Sequence, residues 1–192
     1  MDLLEKLRDE IGDKNELVVC VGNPLRGDDG VGAYIGRKLI ERGLGSRVLN
    51  VEVALENFIM KIANSKPDVV LFVDAVYQEG LKAGSIVFQE LKDVEDYVRL
   101  LSTHYIPLGF ASKYLKALVP EMGVYLLGIK VKSLEYNEKL SREVEEAADY
   151  VVDVLFRFLL ETESGDLVDQ GPGKGAQSAH GQVQEEQQHQ GA

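Results

Sequence analysis

Three acidic side chains and one imidazole stand where this sequence could do chemistry. Asp28 and Asp29 follow a glycine-rich turn in "GNPLRGDDGVG" (22–32). Asp74 ends the apolar run "VVLFVDA" (69–75), and His104 lies in "STHYIPLGF" (102–110). Gly22 and Gly27 carry the spacing of a phosphate-binding loop, in which a lysine and a hydroxyl residue come next to hold phosphate and magnesium. The two next residues here are Asp28 and Asp29. At an intermediate dielectric they would repel a phosphate by something on the order of several kcal/mol. The Gly-x-Gly-x-x-Gly fingerprint of dinucleotide binding does not follow this strand either. The loop keeps the shape of an anion site and reverses its preference towards cations.

Two carboxylates and an imidazole form a workable ligand set for a first-row divalent metal. The same groups can serve as general acids and bases. Each residue also has a plainer reading. An Asp before a helix caps its free N–H groups, a reading that covers Asp28 or Asp29 but not both. Gly22, Asn23, Gly27 and Gly30 are assigned to shaping the same turn. Asp74 alone could start a turn, and a lone histidine is more often a structural hydrogen-bonding group than a ligand. Chemistry gains weight only if Asp29, Asp74 and His104 converge on one edge of one sheet. No nucleophile competes: there is no Gly-x-Ser-x-Gly elbow. Cys20, inside an apolar run, reads as a core thiol. Ser102 and Thr103 could hydrogen-bond near the site.

The elements that must position these residues are legible in outline. "LVVCVG" (17–22), "RVLNVEV" (47–53), "VVLFVDA" (69–75), "GSIVFQEL" (84–91) and "GVYLLGIKV" (123–131) read as strands. Most are apolar without alternation, which marks strands buried on both faces. Leu3, Leu4, Leu7 and Ile11 recur at helical spacing. Val31, Ile35 and Leu39 mark a second helix with Gly43 as its C-cap, and 56–65 a third that ends before Pro67. A weak helical turn or loop is expected over 93–101 and a helix over 107–118 with proline in its first turn. A long helix over 141–161 takes Ser141 as N-cap. Strands alternating with helices predict a three-layer α/β/α fold with a mostly parallel sheet. Two carboxylates at strand ends would then share the edge where open α/β sheets bind ligands.

The chain has 192 residues and 45% apolar composition, enough for a single globular domain. We place that domain at 1–163. The Gly- and Gln-rich segment 164–192, with almost no large apolar residues, is expected to be a disordered tail. His180 and His189 lie in it. A net charge of -11 argues against nucleic acid and anionic membranes, which need clustered Lys and Arg. One cysteine and an N-terminus without an apolar signal core fit a reducing, cytoplasmic setting. No long unexplained apolar surface helix stands out, so a monomer is expected.

Three segments, "GNPLRGDDGVG", "VVLFVDA" and "STHYIPLGF", match a known family in order. The chain resembles the nickel–iron hydrogenase maturation endopeptidases from Leu17 to about Leu160. The resemblance implies a twisted, mostly parallel sheet of about five strands between helix layers. It implies an endopeptidase that removes the C-terminal extension of the hydrogenase large-subunit precursor after nickel insertion. It also implies that Asp29, Asp74 and His104 bind the metal, which is nickel carried by the substrate and not a resident cofactor. Some members have Glu at the Asp29 position, one methylene longer; with the metal role at Asp29, Asp28 is assigned to loop-shaping or helix capping. Either carboxylate could act as base while the metal positions the peptide, the route preferred here. Alternatively the metal polarises the scissile carbonyl. Two rival functions remain: a non-catalytic nickel-sensing chaperone for the large subunit, and a degenerate nucleotide site at Gly22–Gly27, which the acids oppose.

Overall fold

The computed structural model describes residues 1–92 and 105–166. The apolar runs form one five-stranded sheet. Its strands are β1 (Glu16–Val21), β2 (Val48–Glu52), β3 (Val69–Val76), β4 (Ile86–Glu90) and β5 (Gly123–Lys130), in the spatial order β2-β1-β3-β5-β4. β4 runs antiparallel to β5 and the other pairs are parallel. The central strand β3 is buried at every position, while edge strand β4 is half-buried throughout. That difference follows from burial on both faces in the middle of the sheet.

Helices cover both faces. They are α1 (Leu3–Glu10), α2 (Val31–Glu41), α3 (Ile59–Ser65), α4 (Tyr105–Leu118) and α5 (Arg142–Asp166). On one face Val18, Cys20, Leu71, Val73 and Leu127 pack with Leu7, Ile35, Val151 and Leu155 from α1, α2 and α5. On the other face Val19, Phe72 and Leu126 pack with Ile62 of α3 and with Leu108 and Leu115 of α4. The result is the three-layer α/β/α architecture that the alternation of elements predicts.

Some boundaries move for local reasons. α2 ends with Arg42 as its C-cap, and Gly43 follows at φ +96. The N–H groups of Gly43 and Leu44 donate to the carbonyls of Ile40 and Leu39, the paired closure that needs a left-handed residue at this position. A 3-10 turn (Leu55–Phe58) takes the first residues of the helix expected from 56. Tyr105 opens α4, so Pro107 falls in its first turn. α5 runs on to Asp166, past the expected end at 161. Its last turns are tied to the amino edge of the sheet. Buried Glu16 pairs with Arg47, which also donates to the Leu159 carbonyl and to Thr162 Oγ1 at 2.7 Å. No helix among the described residues is long and apolar enough to cross a membrane. The turn expected over 93–101 and the segment beyond 166 lie outside the described residues.

Candidate functional site

The chain leaves β1 through α2 to β2 on one side, while β3 lies on the other. Strand order therefore reverses between β1 and β3. Open α/β sheets bind ligands at such a point, in the crevice beyond the carboxyl ends of the strands. The acidic loop leaves β1 there, and Asp74 stands near the end of β3.

Local sequence explains how the loop reaches that place. Gly22 has φ +157, and a Cβ there would meet the Asp29 carbonyl oxygen at 2.5 Å. Asn23 Oδ1 accepts the Leu25 N–H at 3.0 Å, and the Asn23 carbonyl accepts the Arg26 N–H at 3.1 Å, so a compact turn forms. The chain then enters a 3-10 turn (Gly27–Gly30) that packs against β3. Gly32 lets α2 start directly over the strand ends. A Cβ on it would lie 2.0 Å from the Val21 carbonyl oxygen and 2.4 Å from that of Val73.

Asp28 and Asp29 diverge from this turn. Asp28 Oδ2 accepts the backbone N–H groups of Lys132 at 2.8 Å and Ser133 at 3.0 Å, and the Ser141 hydroxyl at 3.0 Å. Its Oδ1 accepts the Ser141 N–H at 2.6 Å. The main chain repeats the attachment, with Gly27 N–H donating to the Asn137 carbonyl at 2.6 Å. Asp28 thus clamps the loop to the β5–α5 connection. It does not cap α2, whose N-cap is Gly30 with no side-chain bond. Ser141 precedes α5 and its carbonyl accepts from Glu145, but its hydroxyl serves Asp28.

Asp29 is 3% exposed and Asp74 is fully buried. Asp74 Oδ1 accepts the Ala75 N–H at 2.8 Å. Its strand neighbours Phe72 and Val76 belong to the face covered by α3 and α4, so its side chain lies on that face. Carboxylates withdrawn from water favour an arriving cation. The structure brings Asp29 and Asp74 to the carboxyl ends of adjacent strands. His104, Ser102 and Thr103 lie outside the described residues; α4, which begins at the residue after His104, packs on the Asp74 face. Among the described residues no trio of His, Cys, Asp or Glu is placed to hold a metal. Cys20 is buried in the core, and burial pushes its thiol up, as befits a packing residue.

Two charged residues of this edge escape the sequence reading. Glu52 ends β2 at φ +51, where the register against β1 shifts between Cys20 and Val21. Its carbonyl accepts the Gly22 N–H at 3.0 Å, so the bulge helps aim the loop. Beside it a groove of about 350 Å³ is lined by Gly30, Tyr34, Arg37, Glu41, Glu52 and Glu138 among others. Lys130 ends β5 and is only 8% exposed. Its Nζ donates to the Val131 carbonyl at 3.1 Å and lies 4.0 Å from the Tyr77 ring centroid. The signal for it was a lysine inside an otherwise apolar strand, "GVYLLGIKV".

No family model matches the chain. Hydrogenase 3 maturation protease of Escherichia coli is 29% identical over 71% of this chain and 85% of that protein. The NiFe hydrogenase maturation protease HycI of Thermococcus kodakarensis superposes with a TM-score of 0.66 at 27% identity, covering 83% of this chain and 99% of that one. The hydrogenase 2 maturation peptidase of a Thaumarchaeota archaeon is 30% identical, with a TM-score of 0.56 over 76% of this chain and 98% of its own. Likeness of this extent in sequence, carried on the same fold, places the chain in the hydrogenase maturation protease family, whose members are peptide hydrolases.

Proposed function

We propose that this protein removes the C-terminal extension of a nickel–iron hydrogenase large-subunit precursor once nickel is in place. The observation that carries the reading is the pair of buried carboxylates, Asp29 and Asp74, at the ends of adjacent parallel strands where strand order reverses. With His104 they would offer oxygen and nitrogen donors suited to Ni(II) carried by the substrate. A site that takes its metal from the substrate makes cleavage depend on prior nickel insertion. The bound metal positions the scissile peptide, and Asp29 or Asp74 takes a proton from the attacking water. The single cysteine and the acidic composition support a cytoplasmic setting.

The test incubates the protein with nickel-loaded and nickel-free precursor and follows the mass of the large subunit. Loss of a C-terminal peptide from the loaded form only, abolished by Asp29→Asn and by Asp74→Asn, is the expected outcome. Equal cleavage of both forms would sink the nickel dependence. A stable complex with no loss of mass would mark a chaperone instead.

A further inference from the structure

We infer that Lys130 is a further catalytic residue of this site, its ammonium receiving the negative charge that develops on the scissile carbonyl oxygen. The inference rests on the peptidase reading above. Register pairs Asp74 with Gly128 and Val76 with Lys130 across β3 and β5. Paired residues of parallel strands share a sheet face, so Lys130 stands on the face of Asp74, two register pairs further towards the carboxyl edge. An ammonium taken out of water is costly unless it is paired. Among the described residues no carboxylate forms an ion pair with Lys130. Its Nζ has one carbonyl acceptor and the face of Tyr77, which leaves N–H donors for another acceptor.

Pure stability favours a methionine at such a position. The alternative, a lysine that merely snorkels to solvent, keeps its head in water, whereas this residue is 8% exposed. Hydrolysis supplies an anionic partner. Water's oxygen bonds to the carbonyl carbon, one water proton passes to Asp29 or Asp74, and the carbonyl π pair moves onto its oxygen. A preorganised donor aimed at that oxygen stabilises the transition state without itself changing protonation. The C–N bond then breaks as the electrons return, and the leaving nitrogen takes a proton. Acids in the crevice cannot stabilise that oxygen by themselves; a buried cation can.

Single-turnover cleavage of nickel-loaded precursor by wild type, Lys130→Met and Lys130→Arg decides the matter, with precursor binding and melting temperature measured alongside. Removing one such donor elsewhere costs about 10²–10³ in rate. Lys130→Met should lose cleavage rate on that scale while binding precursor within about threefold of wild type and melting at the same or a higher temperature; Lys130→Arg should recover part of the rate. If Lys130→Met does not fold, Lys130→Gln carries the same comparison. A neutral variant that cleaves within threefold of wild type, or that loses binding while keeping its rate, overturns the assignment. Failure of the wild type to cleave would instead strike the peptidase reading.

Discussion

Asp28 accepts four hydrogen bonds from Lys132, Ser133 and Ser141, and three of the four donors are backbone N–H groups. Hydrogen bonds to a charged acceptor contribute about 1.5–3 kcal/mol each, and stranded buried donors add a penalty of their own. Water would refill part of the gap, so Asp28→Ala should cost roughly 3 kcal/mol. For a domain of this size that lowers the melting temperature by roughly 6–12 °C. Asp29→Asn should behave oppositely in thermal denaturation, holding the melting temperature while ending cleavage. An Asp28→Ala protein that melts with the wild type would show that the clamp contributes nothing. The two aspartates are the same residue type in adjacent positions, and the sequence offered no physical basis for separating them. What separates them is 104 to 113 residues away along the chain, in the connection that follows β5. Local patterns cannot carry that information. Lys130 was missed for the same reason: a strand pattern marks it as odd, but only register places it on the face of Asp74.

At the scale of elements, periodicity served well where packing and propensity agree. The continuous apolar runs became β1, β3 and β5, and parallel pairing put their carboxyl ends together. It served less well at ends, where single residues decide. Gly43 stops α2 from one place beyond the cap, and Glu52 bends the end of β2 through a left-handed conformation that no glycine announces. Contacts between helices were not legible at all. Tyr34 of α2 donates to Asp149 Oδ1 of α5 at 2.8 Å. Burial, followed by that hydrogen bond to Asp149, pushes the Tyr34 phenol from 10 up to about 12. The folded state therefore keeps this proton after the unfolded chain has released it. The resulting stability is fully present below pH 10 and is lost as pH rises towards 12. Denaturant unfolding at pH steps across this window should show a shallower alkaline decline for Tyr34→Phe than for wild type. Identical slopes would mean that the contact does not hold α2 to α5.

For the molecule as a whole, one expectation loses its footing and another becomes measurable. A monomer was expected because no apolar surface helix stood out, yet α4 exposes Phe110 at 73%, with Tyr114 and Leu118 four and eight residues on. Its opposite side holds Leu108, Ala111 and Leu115 in the core, so the helix is apolar nearly all round and its sequence does not say which side is covered. The extent of the folded unit can be argued from α5. Its inward residues Leu155, Phe158 and Leu159 are fully buried, and Thr162 bonds to Glu16 while Glu161 pairs with Arg8 of α1. Each fully buried large apolar side chain contributes roughly 1.5–3 kcal/mol. Losing three of them, together with the anchoring of Arg47 and Glu16, would consume most of a stability of about 5–15 kcal/mol. We therefore propose that the functional domain ends with α5 and that the Gly- and Gln-rich segment after it is dispensable. A chain ending at Asp166 should melt with the full chain and cleave precursor at the same rate. A chain ending at Val154 should not fold. Loss of cleavage by the chain ending at Asp166, with its melting temperature intact, would instead give the C-terminal segment a part in handling the substrate.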